Sequence, residues 1–118
     1  MQDLSICASE IEQPVLEKAR CTAYIIHGTM ANGEQTRHGV AAYKRQYLGK
    51  TVIVYIRHKD GTIGSLVGIY EICDVCTEGN LDIWAEDMEE AQGIMNFLYS
   101  EGDAAGRIYY QIIDEVAG

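Results

Sequence analysis

Apolar and polar positions alternate along several short stretches of the chain, a pattern typical of β-strands with one buried face. The predicted strands cover residues 20–26, 39–43, 51–56, 65–73, 81–84 and 107–113. The continuous apolar run from Thr51 to Ile56 consists almost entirely of β-forming residues and is predicted to be the central strand. Asp60-Gly61 predicts a hairpin turn after it. Gly68 lies inside the next strand, where glycine indicates a bulge or a close backbone approach.

One stretch has helical spacing instead. Asp87, followed three residues later by Glu90, resembles a capping pair, and Gly102 is a stop signal, so a helix is predicted at about 87–101. Its predicted barrel-facing positions are Met88, Ala91, Ile94, Met95 and Leu98. One helix among about six short strands predicts a mainly β fold, a small barrel with a helix packed on it.

Residues 1–19 are predicted to be an N-terminal arm, and residues 20–118 the barrel domain. The arm contains a possible short helix from Ser9 to Lys18, although Pro14 near its middle would kink or break it unless it lies in the first turn. A chain of 118 residues is large enough to fold as one domain without disulfide bonds. It is too short for a separate second domain.

The chain is acidic, with 9 basic and 18 acidic residues and a formal net charge of −9. This charge opposes binding to a polyanion, so no nucleic-acid partner is expected.

No run of eighteen apolar residues is present, and Met1 to Leu4 lacks the basic start of a signal peptide. We therefore expect no membrane insertion and synthesis in the cytoplasm, with action at a cell wall only after release or export by another route. The sequence does not define the oligomeric state.

Four cysteines raise the question of a metal. Cys73 and Cys76 have the spacing of half a zinc site, but no second pair follows, and Cys21 or His27 would have to be recruited from distant strands. Free, mostly buried thiols are the predicted state, with structural zinc as the alternative. The three histidines lie near turns and are predicted to be surface residues. No metal and no cofactor is predicted.

The densest candidate chemistry lies between Asp74 and Asp87, where carboxylates surround the short apolar run 81–84. In a strand, Asp82 and Trp84 share one face. Partial burial beside an aromatic ring raises the pKa of a carboxyl group, which lets it act as a proton donor near neutral pH. The alternative is structural, because aspartates beside strands commonly form turns or cap helices.

An ordered set of short motifs resembles the three-aspartate (3D) domain family over residues 20–116. The motifs are Thr22-Ala23-Tyr24, Gly28-Thr29, Ala31-Asn32-Gly33, Thr36, Gly39-Val40-Ala41, Leu48-Gly49-Lys50-Thr51-Val52, Val54-Tyr55, Gly68, Tyr70-Glu71, Asp74 and Leu81-Asp82-Ile83-Trp84. The closing run Tyr109 to Asp114 is similar to small 3D proteins of gut Firmicutes and their prophages.

The resemblance implies a six-stranded double-psi β-barrel and lytic transglycosylase activity on peptidoglycan. Such enzymes cleave the bond between N-acetylmuramic acid and N-acetylglucosamine and leave a 1,6-anhydromuramoyl end. By position, Asp74 matches the first family aspartate, Asp82 the second, which is expected to do the acid/base work, and Glu86 the third. The implied partner is a peptidoglycan glycan strand.

Three further residues are predicted to contact the sugar. Tyr24 and Thr29 could line the cleft, and Trp84 could stack on a sugar ring. Their structural alternatives are a half-buried strand tyrosine, a turn hydroxyl and a core indole. Glu86 has a rival role beside a helix N-terminus, whose dipole it would complement.

The chain differs from the family pattern in two places. No glycine pair follows Asp74, so the loop before Asp82 is shorter, and the third acid is Glu86 rather than aspartate, although Asp87 could replace it after a register shift. Two alternative functions follow: a glycan-binding module without catalysis, and a structural component of a phage or mobile element.

Overall fold

The computed structural model describes residues 16–113, which form a mainly β protein with one α-helix, as predicted. Its strands are β1 (Glu17–Tyr24), β2 (Val40–Tyr43), β3 (Thr51–Arg57), β4 (Ile63–Val75), β5 (Leu81–Trp84) and β6 (Arg107–Ile113). The helix α1 spans Met88–Glu101, and a short 3-10 turn at Arg45–Tyr47 joins β2 to β3.

The six strands form one closed sheet in the order β1-β5-β2-β4-β3-β6, with β6 pairing back to β1. The β1–β5 and β2–β4 pairs are parallel, and the other four pairs are antiparallel. Closure removes the unpaired edges that an open sheet would expose. In a closed sheet every strand has a neighbour on both sides, so no strand is central. The prediction that β3 is the central strand therefore does not apply to this fold.

Side chains that point inward at every second position of the strands fill the interior of the closed sheet. On β3 the even-numbered residues Val52, Val54 and Ile56 are fully buried, while the odd-numbered ones are only partly buried. Leu81 and Ile83 of β5 join the same interior cluster. A second, smaller cluster lies near the cleft described below and consists of Met30, Val40, Cys73 and Trp84.

The β3–β4 hairpin forms as the sequence indicates. The Asp60 carboxylate accepts hydrogen bonds from the backbone N–H and the hydroxyl of Thr62, at 3.0 and 2.7 Å. Gly61 has a φ of 90°, which a side-chain-bearing residue rarely adopts. The pairing register shifts where Val54 faces Gly68 and Tyr55 faces Leu66, so the predicted irregularity at Gly68 is present.

Helix α1 begins and ends where the capping signals predict. Asp87 accepts a hydrogen bond from the N–H of Glu90 at 2.9 Å, and Leu98, Ile94 and Met95 pack against the barrel core. Met88 was predicted to face the barrel but is 65% exposed, because the buried face of the helix begins one turn later, at Ala91. Across residues 16–113, no helix has the length and apolar character needed to span a membrane.

The first strand starts earlier than predicted. β1 begins at Glu17, inside the residues assigned to the N-terminal arm, and ends at Tyr24 rather than Ile26. Glu17 pairs with Tyr110 of β6, so closure of the sheet extends the strand toward the N-terminus. Most of the helix predicted at Ser9–Lys18 lies outside the described residues, but its last two residues belong to β1.

Candidate functional site

A cleft of about 310 Å³ opens where the ends of β1, β2, β4 and β5 meet the loop after β4. We call it the acidic cleft, because three carboxylates line it: Asp74, Glu78 and Asp82. Tyr24 and Ala42 also line it. Two of the three predicted catalytic acids therefore lie in one cleft, together with one of the three predicted sugar-contacting residues.

The strand register explains how these residues meet. Ala42 of β2 pairs with Asp74 of β4 on one side and with Asp82 of β5 on the other. Asp82 in turn pairs with Thr22 of β1. The four residues thus form one row across four neighbouring strands, and the small Ala42 side chain separates the two aspartates.

Asp82 has the environment of a proton donor. Its carboxyl group is half-buried, and burial is the main cause that raises its pKa, with a smaller contribution from the charge of Glu78. The Thr22 hydroxyl donates a hydrogen bond to Asp82 Oδ1 at 2.8 Å, which acts in the opposite direction and lowers the pKa. Because Thr22 holds Oδ1, the second oxygen, Oδ2, is the one left to carry a proton toward a ligand.

Asp74 is held differently. Its Oδ1 accepts hydrogen bonds from the backbone N–H groups of Ala31, at 3.0 Å, and Val75, at 2.9 Å. These bonds orient the carboxylate and attach the loop that contains Ala31 to the end of β4. Because two backbone donors fix its orientation, this carboxylate is suited to orienting a ligand.

The Tyr24 hydroxyl is buried and has no hydrogen-bond partner among the residues described. Burial, followed by the nearby charges of Asp74 and Asp82, raises its pKa, so it stays a neutral donor across the physiological range. A buried hydroxyl without a partner costs about 1–3 kcal/mol. A polar atom of a ligand bound beside Tyr24 would offset that cost.

The predicted third acid, Glu86, does not line the acidic cleft. It is exposed after β5 and lines a separate cavity at the start of α1 with His38 and Glu90. Its backbone N–H donates to the Glu90 carboxylate at 2.6 Å, so its surroundings are those of a helix start. Glu78 lies in the cleft instead. The sequence analysis missed Glu78, although it stands between Asp74 and Asp82 in the chain.

Trp84 and Thr29 do not have the surroundings expected of sugar-contacting residues. Trp84 is only 5% exposed, its indole N–H donates to the Ile26 carbonyl at 2.8 Å, and the rings of His27 and His38 contact it edge-on. A buried indole has no free face for a sugar. The Thr29 hydroxyl accepts a hydrogen bond from Gln35 at 2.8 Å in an exposed turn outside the cleft.

Thr22 is the other residue that the sequence analysis gave no role. Thr22 and Tyr24 are two residues apart in β1 and therefore lie on the same, outward face of the strand. This spacing is the sequence signal that could have identified Thr22 as a residue of the cleft. Its contact with Asp82 depends on the parallel pairing of β1 with β5, which joins residues 60 positions apart.

Within residues 16–113, one group of side chains has ligand atoms close enough to hold a metal ion together: His38, Glu86 and Glu90, all within 4.8 Å. His38 and Glu90 are already joined by hydrogen bonds of 2.9 and 3.0 Å.

The described cysteines are free thiols, and burial raises the pKa of Cys73 to about 11 and that of Cys21 to about 12. Such thiols are poor metal ligands.

The chain has no significant match among protein-family models, curated proteins or solved structures. Any function assigned to it therefore rests on its own residues and their geometry.

Proposed function

We propose that this protein is a double-psi β-barrel of the 3D type that cleaves peptidoglycan as a lytic transglycosylase. The bond cleaved joins N-acetylmuramic acid to N-acetylglucosamine. One observation carries the proposal: Asp82, a half-buried carboxyl group with a raised pKa, lines an open cleft with a second, oriented carboxylate. The closed six-stranded sheet with two parallel strand pairs supports the fold part of the proposal.

In the proposed reaction, Asp82 acts first as the acid and then as the base. Its Oδ2 proton passes to the glycosidic oxygen, the bond from C1 of the muramoyl residue to that oxygen breaks, and an oxocarbenium-like species forms. The resulting carboxylate then accepts the proton of the C6 hydroxyl as O6 bonds to C1. The products are a 1,6-anhydromuramoyl end and a free hydroxyl on N-acetylglucosamine, and Asp82 is protonated again.

One acid is enough for this chemistry. A hydrolase has to activate an external water, normally with a second carboxylate, whereas the C6 hydroxyl is already tethered beside the reacting carbon. Thr22 positions Asp82 through Oδ1. Asp74 orients the sugar through hydrogen bonds to its hydroxyl groups, and Tyr24 donates to a polar atom of the substrate.

Glu78 takes the place of third acid, which the resemblance assigned to Glu86. It lines the acidic cleft, and its charge helps to raise the pKa of Asp82. A carboxylate in this position also stabilises the positive charge that develops on the sugar.

A glycan-binding module without catalysis is the second candidate, and two observations favour it. Glu86 lies outside the cleft, and the cleft volume of about 310 Å³ is near the lower end of typical ligand sites, about 300 Å³. A binding module needs only Tyr24, Asp74 and Asp82 as hydrogen-bonding groups. The phage-component alternative predicts self-association and no glycan affinity.

Digestion of purified Gram-positive peptidoglycan, followed by mass spectrometry of the soluble products, tests the proposal. Wild-type protein and the control Glu89→Gln are expected to release anhydro-ended muropeptides, and Asp82→Asn is expected to release about 10²–10⁴-fold less. Glu89 is exposed in the first turn of α1, so the control loses one negative charge outside the cleft.

Absence of release from the wild type, in assays where a known muralytic enzyme works, would reject the enzyme. Saturable glycan binding by the same preparation would then support the binding module. Self-association without glycan affinity would support the structural alternative.

A further inference from the structure

A second cavity, of about 630 Å³, lies at the other end of β1 from the acidic cleft. We call it the basic cavity. Four cationic side chains line it, together with Ala19 and Ala105: Lys18, Arg20, Arg57 and Arg107. Nearly half of the nine basic residues of a chain with a net charge of −9 therefore meet in one place. If the basic residues were distributed at random over the surface, they would not be expected to cluster in this way.

The strand register forces two of these cations together. Arg20 of β1 pairs directly with Arg107 of β6. Like charges placed opposite each other across antiparallel strands destabilise the pair. A bound anion between them would remove this repulsion.

Among the residues that the structure describes, acidic side chains neutralise only part of this charge. Asp103 pairs with Arg107 at 3.1 Å, while neither Lys18 nor Arg20 forms an ion pair with any residue in 16–113. Arg57 is half-buried, with its guanidinium 5.7 Å from the centre of the Tyr109 ring, and its buried Nε has no acceptor in the described part of the chain. The cavity thus combines exposed cations at its rim with a partly desolvated guanidinium.

We propose that the basic cavity binds a compact anion that carries carboxylate or phosphate groups. The planar guanidinium presents paired N–H donors that match the two oxygens of either group, and three arginines provide more donors than one such group can use. The ligand class is therefore an anion with two or more charged groups. The site shares no residue with the acidic cleft and does not depend on glycan cleavage.

NMR of the side-chain Nε–Hε groups of arginine in the full chain tests the site directly. Sodium citrate and sodium pyrophosphate are the two probes, each added at constant ionic strength. The resonances of Arg20, Arg57 and Arg107 are expected to shift saturably, and that of Arg45, which is exposed in the 3-10 turn outside the cavity, is not.

Two variants of equal charge make the test specific. Arg20→Gln is expected to weaken binding at least about tenfold, as loss of a charge-assisted hydrogen bond predicts. Arg45→Gln is expected to leave the affinity within about twofold. Both positions are exposed, so both variants are expected to fold, and matching unfolding temperatures would verify this.

The outcomes decide the proposal and the class of ligand. Saturation by citrate alone assigns the site to carboxylates, saturation by pyrophosphate alone assigns it to phosphates, and saturation by both assigns it to either group. No saturable shift with either probe would overturn the proposal. Equal weakening in the two variants would also overturn it, because it would indicate a general charge effect.

Discussion

Asp74 and Asp82 lie on opposite sides of Ala42, two strand spacings apart in the closed sheet. At about 4.8 Å per strand, their Cα atoms are about 10 Å apart. At this separation, Asp74 is not among the groups that raise the pKa of Asp82. Burial and the charge of Glu78 raise the pKa of Asp82, whereas Asp74 is fixed by backbone N–H groups.

Replacement of Thr22 by valine is expected to raise the pKa of Asp82 further. The Thr22 hydroxyl stabilises the ionised carboxylate through its 2.8 Å hydrogen bond, so its removal favours the protonated form. A ¹³C NMR titration of the Asp82 carboxyl group measures this directly. Thr22→Ser keeps the hydroxyl and is expected to titrate like the wild type. An unchanged or lowered pKa in Thr22→Val would contradict the assigned role of Thr22.

Removal of the Glu78 charge is expected to act in the opposite direction. In Glu78→Gln the pKa of Asp82 falls, because a neighbouring negative charge is lost from the cleft. In the proposed enzyme this moves the alkaline limb of the pH–rate profile to lower pH and reduces kcat/KM about tenfold. Glu86→Gln, outside the cleft, is the matched control and is expected to stay within about twofold. A larger effect of Glu86→Gln would restore Glu86 as the third acid.

Asp82→Asn is expected to stabilise the fold at about pH 7 while it lowers glycan cleavage by about 10²–10⁴-fold. The folded-state pKa of Asp82 lies above its unfolded-state value, so its favourable contribution is complete below the unfolded pKa and is lost as the pH rises through the folded pKa. The neutral asparagine avoids that loss. Urea unfolding at about pH 7 and about pH 3 measures the difference, which is expected to vanish at the lower pH. A variant less stable than wild type at about pH 7 would indicate that the charged form is well solvated.

Asp87 is expected to affect stability but not catalysis. Asp87→Ala removes the hydrogen bond to the N–H of Glu90 and is expected to lower the free energy of unfolding by about 1 kcal/mol. Asp87→Ser keeps a capping oxygen and is expected to remain close to wild type. Glycan cleavage measured well below the unfolding temperature is expected to be equal in all three proteins. Loss of cleavage in Asp87→Ser would point to a direct role of the carboxylate.

The fold class was predictable because the signals that define it are local. The alternating burial of β3, the Asp60-Gly61 turn and the Asp87 cap each depend on residues a few positions apart, and all are present. The predictions that missed depend on neighbours distant in the chain. β1 starts at Glu17 because β6 pairs with it, and Met88 is exposed because the buried face of the helix begins only at Ala91.

Local patterns in the amino-acid sequence were enough to predict a mainly β chain with six strands, one capped helix and a group of acids around Asp82. Which of these acids share a cleft follows from the folded sheet, because strand pairing brings Asp74, Ala42, Asp82 and Thr22 into one row. The same pairing brings Arg20 opposite Arg107, 87 positions later in the chain. Side-chain periodicity fixes which face a residue occupies. The register of the closed sheet fixes which residues share that face, and it depends on contacts that no local pattern contains.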